Sequence, residues 1–295
     1  MILHRLIEKE LIHPPKWLAD NTHYLTIMGS KCYGVSTDES DNDVYGFCIP
    51  TKEDVFPHLK GEILGFGKQK QRFEQWSEHH IDDKEARKQY DFAIYSIVKY
   101  FSLCMENNPN MIDSLFVRQS YVIHSTQIGN IVRENRRSFL HKGCWHKFKG
   151  YAYSQTHKMK TKTPAQGSKR DADIEKHGYD VKFAYHIVRL LNEAEQILTE
   201  GDLDLEINRE QLKSIRRGEW KEQDIYDYFD RKEKELERVY NESKLPYSPD
   251  ENKIKQLLLQ CLEHHYGSLD KVIHQQDKYE VAMREIAKIC QQNGL

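Results

Sequence analysis

Tyr24-Leu25-Thr26-Ile27-Met28-Gly29-Ser30, followed through Lys31-Cys32-Tyr33-Gly34-Val35-Ser36 to Ser40-Asp41-Asn42-Asp43-Val44-Tyr45-Gly46-Phe47-Cys48-Ile49, reads as a strand, a turn, a polar loop and a second strand. The first apolar run is rich in β-branched and aromatic residues and stops at Gly29, as a buried strand entering a loop does. The second run is opened by Asp41 and Asp43 and closed by Pro50. Residues two apart on a strand face the same side, so the two carboxylates are expected to serve one site. Gly29 lacks a Cβ, which lets a phosphate approach backbone N–H groups, and Ser30 adds a hydroxyl donor. Paired carboxylates offer hard oxygen ligands, which select magnesium or manganese over zinc. A triphosphate held beside two such ions is set up for nucleotide transfer. The bland alternative is a polar connection, since Asp, Ser, Gly and Asn are ordinary turn residues.

The whole pattern is more specific than its Asp-x-Asp. Gly29-Ser30, then Tyr33-Gly34, then Ser40-Asp41-Asn42-Asp43 followed by Gly46 resembles the DNA polymerase beta-like nucleotidyltransferase superfamily, and within it the RNA-repair-pathway DNA polymerase beta family. The likeness continues through Asn107-Asn108-Pro109, Lys149-Gly150-Tyr151-Ala152-Tyr153-Ser154-Gln155 and residues 182–191, so it spans most of the chain. It implies an α/β catalytic domain with a mixed sheet, and a third carboxylate on a later strand. Asp91 is the choice, because Tyr90-Asp91-Phe92-Ala93-Ile94-Tyr95 sets one acid in a short apolar run. Its competitors are Asp82, Asp83 and Glu85, in a charged segment that reads as a solvated loop, and Asp113, which precedes another apolar run. Under this reading Asp41, Asp43 and Asp91 hold two divalent ions, Ser30 holds the β or γ phosphate, and a nucleoside triphosphate is the substrate.

The composition suits a soluble, cytoplasmic enzyme. The chain has 295 residues, enough for two domains, and is 38% hydrophobic with a formal net charge of -2. No membrane span or signal peptide is expected. Six dispersed cysteines show no metal-ligand spacing and read as reduced thiols.

The small net charge conceals a basic belt. Arg133, Arg136, Arg137, Lys142, Lys147, Lys149, Lys158, Lys160, Lys162, Lys169 and Arg170 are opposed within that stretch only by Glu134, and Trp145, Phe148, Tyr151 and Tyr153 are interleaved among them. Charge with stacking faces suits an RNA end, for which Lys142, Lys147, Lys158, Lys160 and Arg170 are the candidate contacts. The same belt also reads as a solvated helix face, or as a triphosphate-binding surface alone. Lys182, His186 and Arg189 fall at i, i+4 and i+7 opposite an apolar seam. The resemblance makes them, with Lys149 and Tyr151, candidates for lining the nucleotide cleft. Gln155, Arg216, Arg217 and Trp220 are weaker ones.

Periodicity predicts helices over 95–105, 125–139 with Ser125 as cap, 144–158, and 179–199 ended by Gly201. Residues 65–88 and 159–173 read as loop excursions, and 219–295 as a helical bundle. These elements divide into a nucleotidyltransferase domain, 1–124, and an α-helical domain, 125–295. The expected activity is template-independent addition of a nucleoside monophosphate to an RNA 3′ end, tRNA or damaged RNA, with release of pyrophosphate. The alternatives are transfer to a protein or small-molecule hydroxyl, action on DNA ends, and a non-catalytic nucleic-acid-binding module.

Overall fold

The computed structural model describes residues 1–36 and 40–269, together with positions 272, 282, 283, 286, 287, 289 and 290. Part of the signature loop, residues 37–39, and most of the end of the helical bundle expected over 219–295 lie outside the described residues.

The two apolar runs of the signature form β1 (Thr22–Met28) and β2 (Asn42–Cys48), paired antiparallel. Gly46 is needed for that pairing, because a Cβ there would lie 1.9 Å from the Tyr24 carbonyl oxygen. With β3 (Gln75–Asp83), β4 (Lys88–Ser96) and β5 (Val122–Ser125) they make a mixed sheet of order β3-β4-β2-β1-β5, in which only β2 and β4 run parallel. Period-2 alternation divides the side chains between two faces. Leu25, Val44, Cys48, Phe92 and Ile94 pack with Leu3 and Leu6 of helix α1 (Ile2–Glu8) on one face. Asp43, Tyr45, Phe47, Asp91 and Tyr95 point to the other.

That second face carries most of the helices. A short α2 (Lys52–Val55) is followed by α3 (Ile97–Met105), capped by Ser96, and α4 (Pro109–Phe116), capped by Asn108 with Pro109 at its start. Next come α5 (Gln127–Glu134), α6 (Cys144–Thr161), α7 (Lys169–His177), α8 (Val181–Glu200), α9 (Arg209–Arg216), α10 (Glu222–Glu242) and α11 (Glu251–Tyr266). One continuous core runs from Tyr24 and Phe47 on the sheet through Trp145 and Phe148 of α6 and Ile187 and Leu191 of α8 to Leu262 of α11. All described strands end by Ser125, yet the helices beyond it pack into the same core as the sheet.

Several local expectations are corrected. Residues 65–88 contain β3, an edge strand whose exposed, charged residues hide its alternation. Asp83 is therefore buried in a sheet rather than solvated, and it accepts from Lys9 Nζ at 2.9 Å and pairs with Arg5 at 3.3 Å. The segment 159–173 is shortened from both sides, by the end of α6 and by α7, whose cap Ser168 accepts from the Asp171 N–H at 3.2 Å. Thr126, not Ser125, caps α5. The polar stripe of α8 runs from exposed Lys182 through half-buried His186 to buried Arg189, and Asn192, Glu193 and Gln196 beyond it are buried along with the apolar residues. Among the described residues no helix is long and apolar enough to cross a membrane, and all six cysteines are free thiols.

The sheet is tied to α11 by His23, whose Nε2 lies 3.0 Å from His265 Nδ1 and whose Nδ1 lies 2.9 Å from Thr126 Oγ1. Burial, then the neighbouring His265, His124 and His264, push the His23 pKa down from 6.5 to about 4. The unfolded imidazole protonates below pH 6.5 while the folded one stays neutral to about pH 4. Its contribution to stability is thus complete above that window and is lost as pH falls through it, by up to about 3 kcal/mol. Thermal melting of wild type and His23→Gln between pH 7.5 and 4 is expected to show a smaller acid-side loss in the variant. Parallel losses would refute the assignment.

Candidate active site

Strand register builds the acidic centre. In the antiparallel pair Met28 is opposite Asp43, so the turn that begins at Gly29 starts beside that carboxylate. A Cβ on Gly29 would lie 1.9 Å from Asp43 Oδ2, and its φ of +68° is one that glycine adopts at no steric cost. In the parallel pair Asp43 is the direct partner of Asp91. The two carboxylates therefore stand side by side on one face, with Asp41 one residue before the strand and two before Asp43. Asp43 and Asp91 are half-buried and Asp41 is exposed. Burial, and then the charges of Asp91 and Asp41, raise the Asp43 carboxyl pKa above its ordinary value against the opposing pull of Lys182 and His79.

Asp91 is aimed by a bulge in β3. The register shifts between Glu78 and Ile81, and His80 takes a left-handed φ of 59°. This brings the His80 N–H to 2.6 Å from Asp91 Oδ1 and His79 Nδ1 to 3.8 Å from Oδ2. His79 and His80 escape a reading of the sequence because they lie in a segment that looks like a polar loop. A left-handed non-glycine residue in a strand is strained, and such strain collects at functional sites.

A cavity of about 440 Å³ opens over Asp41 and Asp43. Gly29, Ser30, Asp41 and Asp43 form its sheet side. Lys182, His186 and Arg189 of α8, Arg170 and Asp173 of α7 and Arg216 of α9 line the helical side, and Tyr33, Tyr45, Asn110 and Tyr185 complete it. Four cationic side chains thus converge opposite the carboxylates. Arg170 Nε donates to Asp180 Oδ2 at 2.5 Å and its guanidinium lies 3.9 Å from the Phe183 ring centre. Arg216 lies 5.3 Å from the Tyr185 ring centre. Arg189 is paired with Asp113 and Glu193 beneath the cavity. Burial and the surrounding cations push His186 well below the usual imidazole range, so it is a neutral donor and acceptor in a cationic wall. Asp91 does not line this cavity and is turned towards β3.

The remaining sequence candidates lie elsewhere. Lys149 Nζ donates to Glu237 at 2.8 Å and lies 4.7 Å from the Trp145 ring centre, off the cavity. Tyr151 is also outside the lining; its hydroxyl accepts from Asn108 Nδ2 at 2.9 Å. The basic belt does not form one surface. Lys142 is buried, 4.5 Å from the Tyr247 ring centre. Lys147 pairs with Glu106, Arg137 with Asp202, and Lys160 lies 4.5 Å from the Tyr226 ring centre. Lys158 is exposed, whereas Arg170 belongs to the cavity. Of the weaker candidates Arg216 reaches the cavity, while Arg217 pairs with Glu219 and the Trp220 indole donates to Ser214.

Among the described residues no three His, Cys, Asp or Glu side chains already close into a coordination shell. The donor chemistry of Asp41, Asp43 and Asp91 is nonetheless of the kind that divalent cations take: hard oxygens only, around the starts of β2 and β4, with the charges of Asp91 and Asp41 bearing on Asp43. Gly29→Ala drives a methyl group into Asp43 Oδ2. It is expected to weaken Mn²⁺ binding by about 10–100-fold, measured by electron paramagnetic resonance, with the far-UV circular dichroism unchanged. Unaltered Mn²⁺ affinity would remove Asp43 from the metal site.

The RNA repair pathway DNA polymerase beta family matches residues 3–260. Among solved structures, a nucleotidyltransferase-like protein from Exiguobacterium sibiricum 255-15 is similar at 8% sequence identity over 99% of this chain and 90% of that one, with a TM-score of 0.29. That likeness is too distant to bear on the site. No curated protein matches the chain. The family match covers every strand, every wall of the cavity and most of α11, and the chain accordingly belongs to the RNA repair pathway DNA polymerase beta family of nucleotidyltransferases.

Proposed function

We propose that the protein transfers a nucleoside monophosphate from a nucleoside triphosphate to the 3′ hydroxyl of an RNA, such as tRNA or a damaged RNA, with pyrophosphate as leaving group. The observation that carries this reading is the side-by-side placement of Asp43 and Asp91 next to a cavity walled by Arg170, Lys182, Arg189 and Arg216. Ser30 and the backbone of the Gly29 turn bind one side of the triphosphate, and the four cations bind the other. They also take up the charge that grows on the departing pyrophosphate, since positioning and charge stabilisation are the main contributions a protein makes to phosphoryl-type transfer. Asp91, outside the cavity and turned towards β3, is assigned to the acceptor side of the centre. A new bond forms between the acceptor oxygen and the α-phosphorus, the bond from that phosphorus to the β-phosphate bridging oxygen breaks, and the hydroxyl proton passes to the Asp91 carboxylate or to water. Magnesium or manganese ions held by Asp41, Asp43 and Asp91 supply the Lewis-acid chemistry of the centre.

An RNA acceptor is supported by the family's place in RNA repair. A second reading, transfer to a protein or small-molecule hydroxyl, is favoured by the dispersal of the basic belt, because Lys142 is buried and Lys147 and Lys149 are already paired with acids. Incubation with each labelled nucleotide, magnesium or manganese and a panel of RNAs, DNAs, proteins and small molecules separates the two. The RNA reading expects label at RNA 3′ ends with an acceptor KM that rises steeply with salt. Asp43→Asn is expected to lower turnover about a thousandfold or more. Label on a protein or small molecule alone would overturn the RNA acceptor, and normal turnover in Asp43→Asn would overturn the catalytic centre.

A further inference from the structure

Asp113 lies on α4, beneath the cavity rather than in it, and is fully buried. Its Oδ2 accepts from the Tyr33 hydroxyl at 2.7 Å and from Arg189 Nη1 at 2.5 Å. Tyr33 belongs to the turn that begins at Gly29 and Ser30, whereas Arg189 belongs to α8, the facing wall. One carboxylate oxygen thus joins the two sides of the cavity. The guanidinium is fixed further by the Tyr33 ring, whose centre is 4.2 Å away, and by both oxygens of Glu193 at 2.9 Å from the same Nη1.

The charge count in this buried group is uneven. Two carboxyl groups are sealed against one guanidinium, and an unpaired buried charge is costly. Burial raises the pKa of both acids against the pull of Arg189, so the pair favours holding one proton between them. Arg189 Nε is buried without a hydrogen-bond partner. An N–H left so costs free energy, and Arg189 and Tyr33 are the members of this group that also line the cavity.

We propose that Asp113 is a positioning residue for the nucleoside triphosphate: by binding the Tyr33 hydroxyl and Arg189 through one oxygen, it sets the Ser30 turn and the cationic wall of α8 in a single frame. The inference rests on the triphosphate reading given above. Its consequence is that the two walls cannot drift apart independently, which removes part of the ordering cost of binding a flexible polyphosphate.

Nucleotide affinity in the absence of acceptor, followed by fluorescence titration, tests the link together with steady-state kinetics. Asp113→Asn is expected to raise both the Kd and the KM for the nucleoside triphosphate by about tenfold or more, with kcat and the acceptor KM changed far less. Tyr33→Phe keeps the ring under Arg189 and loses only the hydroxyl, and it is expected to shift the same two constants in the same direction. In the double variant the two effects are expected not to add, since both act through Oδ2. A merely structural role would lower the melting temperature and leave the KM-to-kcat split unmoved. If Asp113→Asn does not fold, Tyr33→Phe decides alone. Wild-type binding with unaltered binding by Tyr33→Phe overturns the positioning role only. Wild-type protein that binds no nucleoside triphosphate overturns the functional reading and this one with it.

Discussion

The parallel pairing of β2 with β4 is the constraint on which the rest of this structure turns. It is the only parallel contact in the sheet, and it sets Asp43 beside Asp91 as like charges on neighbouring strands. Carboxylates so placed repel one another, and partial burial of Asp43 sharpens the cost. The fold tolerates this because every flanking feature leans on the same point. The Gly29 turn packs a residue without a Cβ against Asp43, the β3 bulge supplies an N–H to Asp91, and α8 brings Lys182 within electrostatic reach. A local conflict held in place by its surroundings is what proteins carry at functional or strained positions.

The strands at the centre were legible because their determinants are local. An apolar run ended by Gly29, a second opened by alternating acids and closed by Pro50, and a single acid in the run from Tyr90 to Tyr95 each carry their own evidence. So did α8, whose seam repeats over many residues and ends at Gly201. What escaped depends on partners far away in the chain. Residues 75–83 look like a solvated loop until β4 is beside them, and only the hairpin shows that His79 and His80 flank Asp91. The short helix α7 has little apolar content, so nothing periodic announces it, and its role in bringing Arg170 and Asp173 to the cavity is tertiary.

The basic belt illustrates the same limit for charge. Counting along the chain finds eleven cations against Glu134 between residues 133 and 170. Folding sends successive residues around the circumference of α6 and places Glu106, Asp202, Glu233 and Glu237 from other elements against them. The cations that line the cavity are instead Arg170, Lys182, Arg189 and Arg216, which are spread over 47 positions in sequence and three helices. Linear charge density is a poor guide to potential when the helices that carry it are packed on several sides.

The unbroken core between sheet and helices has one more consequence. A chain severed after Ser125 would remove Trp145 and Phe148 of α6, Ile187 and Leu191 of α8 and Leu262 of α11 from the core they share with Tyr24 and Phe47. An exchange of either half between proteins would have to match the apolar surface of the other across this shared core. Loss of α11 would uncover Cys261 and Leu262 together with the faces of α3 and α5 on which that helix is seated.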